Sequence, residues 1–276
     1  MKSSEYQELY RKLATPEDID FLSENLGYDR ELLLVIHTQR VTRDTTRKFY
    51  RVKNQANRLA YQWDHGESFL SIARRFEFPP VLMALMILEQ MGTNRKTFWK
   101  YFADAKIIPT ARLRQEIEQI RGADIIYSPE GSETQYARGR WGEAQLKDWL
   151  VGLGAEYRTE AQIRGEFDKT PDALLRTPIE WQGTRYFWVE SKALVGDAFE
   201  VKRHLKKQLI PYTQLFGDGL VIYWFGYVED GGVEIPGGIT VIDDRHVRDP
   251  AFRPIVHPPL PEGYHRDRAP PAPQPA

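Results

Sequence analysis

The run from Gly219 to Val228, GLVIYWFGYV, carries no charged side chain and is almost wholly β-branched, aromatic or glycine. Such density reads as a strand that must be buried. It is far shorter than the roughly 20 apolar residues that cross a bilayer. Other elements must cover it, and they precede it. Residues 140–151 form an amphipathic helix ended by Gly152 and Gly154, and 156–164 read as a strand. DALLRTPIEW and RYFWVESKAL flank Gln182-Gly183-Thr184 as a hairpin with a three-residue loop, and 198–215 are helical. The order is helix, strand, strand, strand, helix, strand. An α/β core with a mixed β-sheet flanked by helices buries that pattern.

The first 120 or so residues read instead as helical. Thr15 is a candidate N-cap, with Pro16 at the first helical position and Glu17 and Asp18 in the first turn. Between 68 and 92, Leu70, Ile72, Ala73 and Phe76 share an apolar face, and Pro79-Pro80 opens a second helix. Two short helices with a tight joint predict either a helix-turn-helix or an ordinary helical hairpin. Residues 122–139 are rich in turn formers and are expected to connect the domains. The proline-rich stretch 258–276 reads as a disordered tail. The expected organisation is a helical nucleic-acid-binding domain at 1–121, a linker at 122–139, a catalytic domain at 140–257 and the tail.

With no cysteine among 276 residues, a disulfide framework, a thiolate zinc site and a cysteine nucleophile are excluded. That composition and the absence of an apolar signal region in MKSSEYQELYRK point to a cytoplasmic protein, or a nuclear one if eukaryotic, with no membrane partner. The net charge is only -1, so charge distribution matters more than its sum. Arg43, Arg47 and Arg51 recur at i+4 in a basic stretch from Arg40 to Arg58 that contains a single acid, Asp44. Lys202 and Lys206 stand in a second basic cluster with Arg203, His204 and Lys207. Either cluster suits phosphates, or is a solvated helix face.

The chemistry-bearing residues lie on the hairpin. A carboxylate, any residue, then a lysine occurs at Asp104-Ala105-Lys106, Glu190-Ser191-Lys192 and Glu200-Val201-Lys202. The first and third fall in expected helices, where i and i+2 diverge. Only Glu190 and Lys192 sit in an expected strand, where i and i+2 share a face. With a three-residue loop, Asp172 falls opposite Leu194, on the same face as Glu190 and Lys192. A two-residue loop without a bulge would put Asp172 on the other face. Glu143 lies beside Leu146 and Leu150 on the preceding helix. A carboxylate there needs a partner, either a metal or its water, or a surface arginine such as Arg140.

Lys169-Thr170-Pro171-Asp172 followed by Val189-Glu190-Ser191-Lys192 resembles the PD-(D/E)XK nuclease superfamily, and Thr170-Pro171-Asp172 resembles its TPD branch, the archaeal relatives of the animal codanin-interacting nuclease. Gln208 and Tyr212 are similar to a Q-x-x-x-Y element that follows the core hairpin in some members. The resemblance implies a restriction-endonuclease-like core behind a helical domain. It implies a Mg²⁺-dependent endonuclease, most naturally on DNA, with Mn²⁺ able to substitute. Asp172 and Glu190 would hold the metal with the Ser191 carbonyl as a further ligand, Lys192 would position the water, and Glu143 would assist. Gln208 would orient the Lys192 region or touch the nucleic-acid backbone, and Tyr212 would pack. A homodimer or a protein partner is compatible with this reading. Two alternatives remain: a nucleic-acid-binding regulator with a vestigial core, and a nuclease acting on RNA.

Overall fold

A computed structural model of the chain describes residues 1–254. The expected tail at 258–276 lies outside the described residues. The helices of the first half are α1 (Ser3–Lys12), α2 (Pro16–Leu26), α3 (Arg30–Lys53), α4 (Ala56–Asp64), α5 (Phe69–Phe76), α6 (Pro80–Gln90), α7 (Arg95–Ala103), α8 (Ala111–Ala123) and α9 (Pro129–Gly152). There follow β1 (Tyr157–Thr159), α10 (Glu160–Ile163), β2 (Ala173–Trp181), β3 (Thr184–Lys192) and α11 (Ala198–His204). A π-helical turn (Leu205–Leu209) leads into α12 (Ile210–Phe216), then β4 (Gly219–Tyr223), β5 (Ile239–Asp243), α13 (Asp244–Val247) and β6 (Arg253–Pro254). The chain divides into two compact units: residues 13–137, and residues 1–12 together with those from Arg138 onward.

In the helical unit the expected N-terminal signals operate. The Thr15 amide donates to Asp18 Oδ2 (2.6 Å), and Pro16 opens α2. Two buried acids tie the helices together. Glu116 accepts from the Trp63 indole (3.0 Å), the Phe69 amide (2.9 Å) and Arg112 Nε (2.9 Å). Asp124 accepts from the Val81 amide (3.1 Å), which supplies α6 with a side-chain acceptor that Pro79 cannot offer. Asp124 also accepts from the amides of Ile126 and Tyr127.

At 69–90 a helix, a short joint and a second helix are present, with Glu77 in the left-handed region (φ 46°) ending α5. But α6 is buried on nearly all sides, its core positions including Val81, Met83, Leu85, Ile87 and Leu88. A helix that reads a groove keeps a polar face outward. The exposed residues of α6 are Glu89 and Gln90, and the helix serves as the centre of this unit's core.

The expected irregular connection at 122–139 is replaced by helix from Pro129. Ser128 Oγ accepts from the Gly131 amide (3.0 Å), Pro129 occupies the first helical position and Glu130 lies in the first turn.

The second unit is built on a mixed sheet ordered β1-β2-β3-β4-β5, with β6 also on β2. β2 pairs antiparallel with β1, β3 and β6, whereas β3–β4 and β4–β5 are parallel. β4 lies between β3 and β5 and every one of its residues is buried, as an uncharged run requires. It is half as long as expected: after Tyr223 the chain turns away, and the Trp224 amide donates to the Lys192 carbonyl (3.0 Å). Leu146 and Leu150 of α9 pack with Val189, Leu220 and Ile222 on one face. Val201, Leu205, Leu209 and Tyr212 cover Trp188, Val221 and Tyr223 on the other. The Trp188 indole lies so close over β4 that a Cβ at Gly219 would meet its Cε2 at 1.8 Å. The expected strand at 156–164 is confined to 157–159 and passes directly into α10, and β5 has no counterpart in the sequence reading.

The hairpin also differs from expectation. Trp181 pairs with Thr184, so the loop is the two residues Gln182 and Gly183, both left-handed (φ 50° and 78°), as a type I′ turn needs. Between Leu174↔Trp188 and Ile179↔Tyr186, four residues of β2 face one residue of β3. Pro178 lies in this bulge, where its missing N–H takes nothing from the ladder. The Arg176 amide donates instead to the Glu156 carbonyl (2.8 Å). Beyond the bulge the register is Ala173↔Val189, which brings Asp172 level with Glu190 and not with Leu194.

The first twelve residues belong to the sheet-bearing unit. Tyr6, buried, donates its hydroxyl proton to Asp197 Oδ2 (2.5 Å), and Asp197 is the N-cap of α11. The Ser3 amide donates to Asp230 Oδ1 (2.6 Å).

Candidate active site

Asp172, Glu190 and Lys192 are brought together at the point where β2 begins and β3 ends. The Asp172 amide donates to Glu190 Oε2 (3.2 Å), and the Ser191 amide donates to Asp172 Oδ2 (2.8 Å). Lys192 Nζ donates to Glu190 Oε1 at 2.6 Å. Glu190 is 2% exposed, Asp172 only partly so.

Two acids in one poorly hydrated place disfavour each other's ionisation. The Asp172 carboxyl is pushed up to about 7, first by burial and then by the Glu190 charge, against the pull of Lys192 and the Ser191 amide. Glu190 is raised too, again mainly by burial, with Lys192 pulling the other way.

The segment bearing Asp172 is fastened by the helix opposite. Tyr212, buried, donates its hydroxyl proton to the Thr170 carbonyl (2.8 Å) and meets the Trp188 ring edge-on at 5.3 Å. Gln208 is hydrogen-bonded to the Tyr212 side chain. Tyr212 therefore does more than pack. The π-helical turn carries Gln208, and Pro211 follows it; such bulges concentrate at functional sites.

Glu143 is exposed, so it does not carry the burial cost that singled it out, although its charge is felt at Asp172. The adjacent Gly142 is buried: a Cβ there would meet Ala193 Cβ at 3.0 Å and Ser191 Oγ at 3.2 Å. Glu160 is an acid that the sequence reading passed over. It opens α10, its amide donates to the Asp172 carbonyl (3.3 Å), and its charge acts on Glu190. Placed in an expected strand, it gave no signal.

Among the described residues no group of three or more histidine, cysteine, aspartate or glutamate side chains is placed to hold a metal. Magnesium, however, takes one or two carboxylates and completes its shell with water and phosphate oxygens. Asp172 Oδ1 accepts no hydrogen bond among the described residues, and both carboxyls are held in a costly common field. An all-oxygen pair of this kind fits a hard divalent cation and offers no soft donor.

The basic candidates are scattered. Arg43 is 8% exposed and so is no part of a surface stripe. Arg47 is exposed and 3.3 Å from Asp44, and Arg51 is exposed. Lys202 and Lys206 are exposed on the outer side of α11 and the π-helical turn. Their neighbour His204 is buried, hydrogen-bonded through Nδ1 with the Tyr223 hydroxyl (2.9 Å), and its pKa is pushed down to about 3 mainly by burial. It contributes no positive charge at neutral pH.

Residues 109–245 match a family model described as "Protein of unknown function TPD sequence-motif". The mouse protein named CDAN1-interacting nuclease 1 is 32% identical over 169 residues, 58% of this chain and 60% of its own length. The zebrafish (Danio rerio) protein of that name is 32% identical over 182 residues, 63% of this chain and 61% of its own. The human one is 31% identical over 169 residues, 58% and 60% respectively. The chain thus spans about 60% of the length of these curated relatives. No solved structure matches. The Thr-Pro-Asp triplet ending on Asp172 lies inside the matched segment, over which the chain is similar to the TPD sequence-motif family.

Proposed function

We propose that the chain is a divalent-metal-dependent nuclease of the PD-(D/E)XK kind, hydrolysing phosphodiester bonds, with DNA as the first substrate to test. The observation that carries this reading is the level pairing of Asp172 with Glu190, with Lys192 Nζ 2.6 Å from the latter. The nuclease name of relatives about 31% identical supports it.

Asp172 and Glu190 would hold the cation, with the Ser191 carbonyl as a further ligand. When bound, magnesium supplies charge neutralisation at the phosphate and a more acidic water. Lys192, an ammonium with three protons, keeps one on Glu190 and offers the others to the attacking water. The water oxygen bonds to phosphorus as its proton passes to solvent, the ester P–O bond breaks, and the departing oxygen takes a proton from solvent, so that one water is added across the bond. Tyr212 and Gln208 keep the Thr170–Asp172 segment from moving during this step. Glu143 and Glu160, at the margin, add negative field that favours cation over phosphate binding until the metal is in place. Arg47, Arg51, Lys202 and Lys206 are proposed to meet phosphates. The relatives are named for interaction with CDAN1, and on that ground a protein partner is proposed for this chain too. No helix among the described residues is long and apolar enough to cross a membrane.

The test incubates the purified chain with Mg²⁺ or Mn²⁺ and labelled duplex, single-stranded and branched DNA and RNA. Metal-dependent cleavage that disappears in Asp172→Ala and Glu190→Ala is expected. Full cleavage by either folded variant overturns the assignment, as does failure to cut any substrate.

A further inference from the structure

Helices α3 and α4 are separated only by Asn54 and Gln55, and burial stays in phase across that joint. Val52, Leu59, Ala60 and Trp63 all enter the same core. On the opposite side, Arg47, Tyr50, Arg51, Arg58, Tyr61 and His65 are all exposed, with 47/50 and 58/61 three apart, 47/51 and 61/65 four apart and 51/58 seven apart. Tyr50 is 74% and Tyr61 63% exposed. Arg51 and Arg58 make no ion pair among the described residues, while Arg47 lies 3.3 Å from Asp44; the sole acid from 47 to 65 is Asp64, exposed and three residues beyond Tyr61.

We infer that this face binds an unpaired nucleic-acid strand, with bases stacking on Tyr50 and Tyr61 and phosphates meeting Arg47, Arg51 and Arg58; the inference rests on the reading that the chain acts on nucleic acid. Arginines alone would suit any phosphate backbone. The tyrosines discriminate, because a duplex keeps its base faces hidden in the stack while a single strand presents them. Both rings are held from one side. The Tyr50 ring meets Phe49 edge-on at 5.5 Å between centroids, and His65 stacks on Tyr61 at 3.8 Å. The His65 ring is itself fixed by donation from Nδ1 to the Tyr61 carbonyl (2.8 Å). A platform already ordered loses little entropy when a base lands on it. Eleven residues at the helical rise separate the rings by at most about 16 Å along the axis, within the span of a few nucleotides.

Fluorescence anisotropy in EDTA, which prevents cleavage, tests this with oligothymidylate, oligouridylate and a duplex of equal length. At least one single strand is expected to bind more tightly than the duplex, and the preferred sugar names DNA or RNA as the source. The double variant Tyr50→Ala, Tyr61→Ala is expected to lose roughly tenfold or more in single-strand affinity while duplex affinity holds. Tyr50→Phe with Tyr61→Phe should retain wild-type binding. A preference for duplex, or an alanine variant that binds single strands as wild type does, overturns the inference. Because binding is read without turnover, a protein that grips single strands yet cuts nothing would refute the nuclease reading and leave this one standing.

Discussion

The Asp172 amide donates to the Glu190 carboxylate, while the amide following Glu190 donates to the Asp172 carboxylate. Each acid is thus oriented by the backbone that carries the other. A slip of β2 against β3 would break both bonds at once, so the spacing of the two carboxylates is set by strand register and not by side-chain rotamers.

That arrangement is costly without a cation. The Asp172 carboxyl sits near 7 in the folded chain, against the ordinary 3.8. Between those values the folded state holds a proton that the unfolded state releases, so folding stability declines as pH rises through this window. Asp172→Asn removes the effect. In EDTA at pH 8 the variant should be more stable than wild type by about 4 kcal/mol, and the difference should vanish near pH 4. Urea denaturation at the two pH values measures it; a variant no more stable at pH 8 contradicts the predicted burial cost. Added Mn²⁺ should raise the midpoint of wild type but not of the variant.

Lys192→Ala should abolish cleavage and retain Mn²⁺ binding by calorimetry at pH 8, because a protonated lysine is not a ligand. Loss of metal binding in a folded variant would move Lys192 from water positioning to the support of Glu190 alone.

The arginines of α3 should separate by effect. Arg43 is buried, so Arg43→Ala is expected to cost about 1–3 kcal/mol of stability. Removing Arg47 and Arg51 together should leave the denaturation midpoint unchanged, weaken nucleic-acid binding and reduce the salt slope by roughly 2. Filter binding across a salt series distinguishes these; an unchanged slope removes Arg47 and Arg51 from the interface.

At Gly219 a Cβ has no space beneath Trp188, which is fully buried and donates its indole N–H to the Gly217 carbonyl (2.8 Å). Gly219→Ala should cost about 3 kcal/mol or more, and Trp188→Leu in the same chain should restore part of it. A thermal melt of the alanine variant matching wild type would show that the ring can move aside.

The order of elements around the hairpin was legible because β2 and β3 carry strand residues on both sides of an obvious turn. The register was not. Gln182 adopts a left-handed conformation that a non-glycine residue rarely takes, which shortens the loop to two residues. Pro178 then opens a bulge that inserts three extra residues. Each change reverses the strand's faces, and together they cancel. Asp172 therefore shares a face with Glu190 by a route that loop counting from Gln182-Gly183-Thr184 does not follow. The start of α9 was hidden by Gly131 and Gly139, which weaken helix propensity; at Gly142, inside the expected helix, the close approach of Ser191 and Ala193 needs the missing side chain. Arg43 shows a different limit. Spacing at i+4 groups it with Arg47 and Arg51, but cannot say which edge of that group the core will cover.

The Tyr6–Asp197 contact ties the chain's opening helix to a turn almost two hundred residues later. During synthesis α1 precedes the residues it packs on, and residues 13–137 are made before them. Only when Asp197 and Asp230 have emerged can α1 dock and its tyrosine reach the cap of α11. A fragment starting at Arg138 contains Asp172, Glu190 and Lys192, yet leaves Asp197 without that hydroxyl, at the head of the helix that leads to Gln208 and Tyr212. Residues 1–12 thus close on the head of the helix whose continuation carries Gln208 and Tyr212.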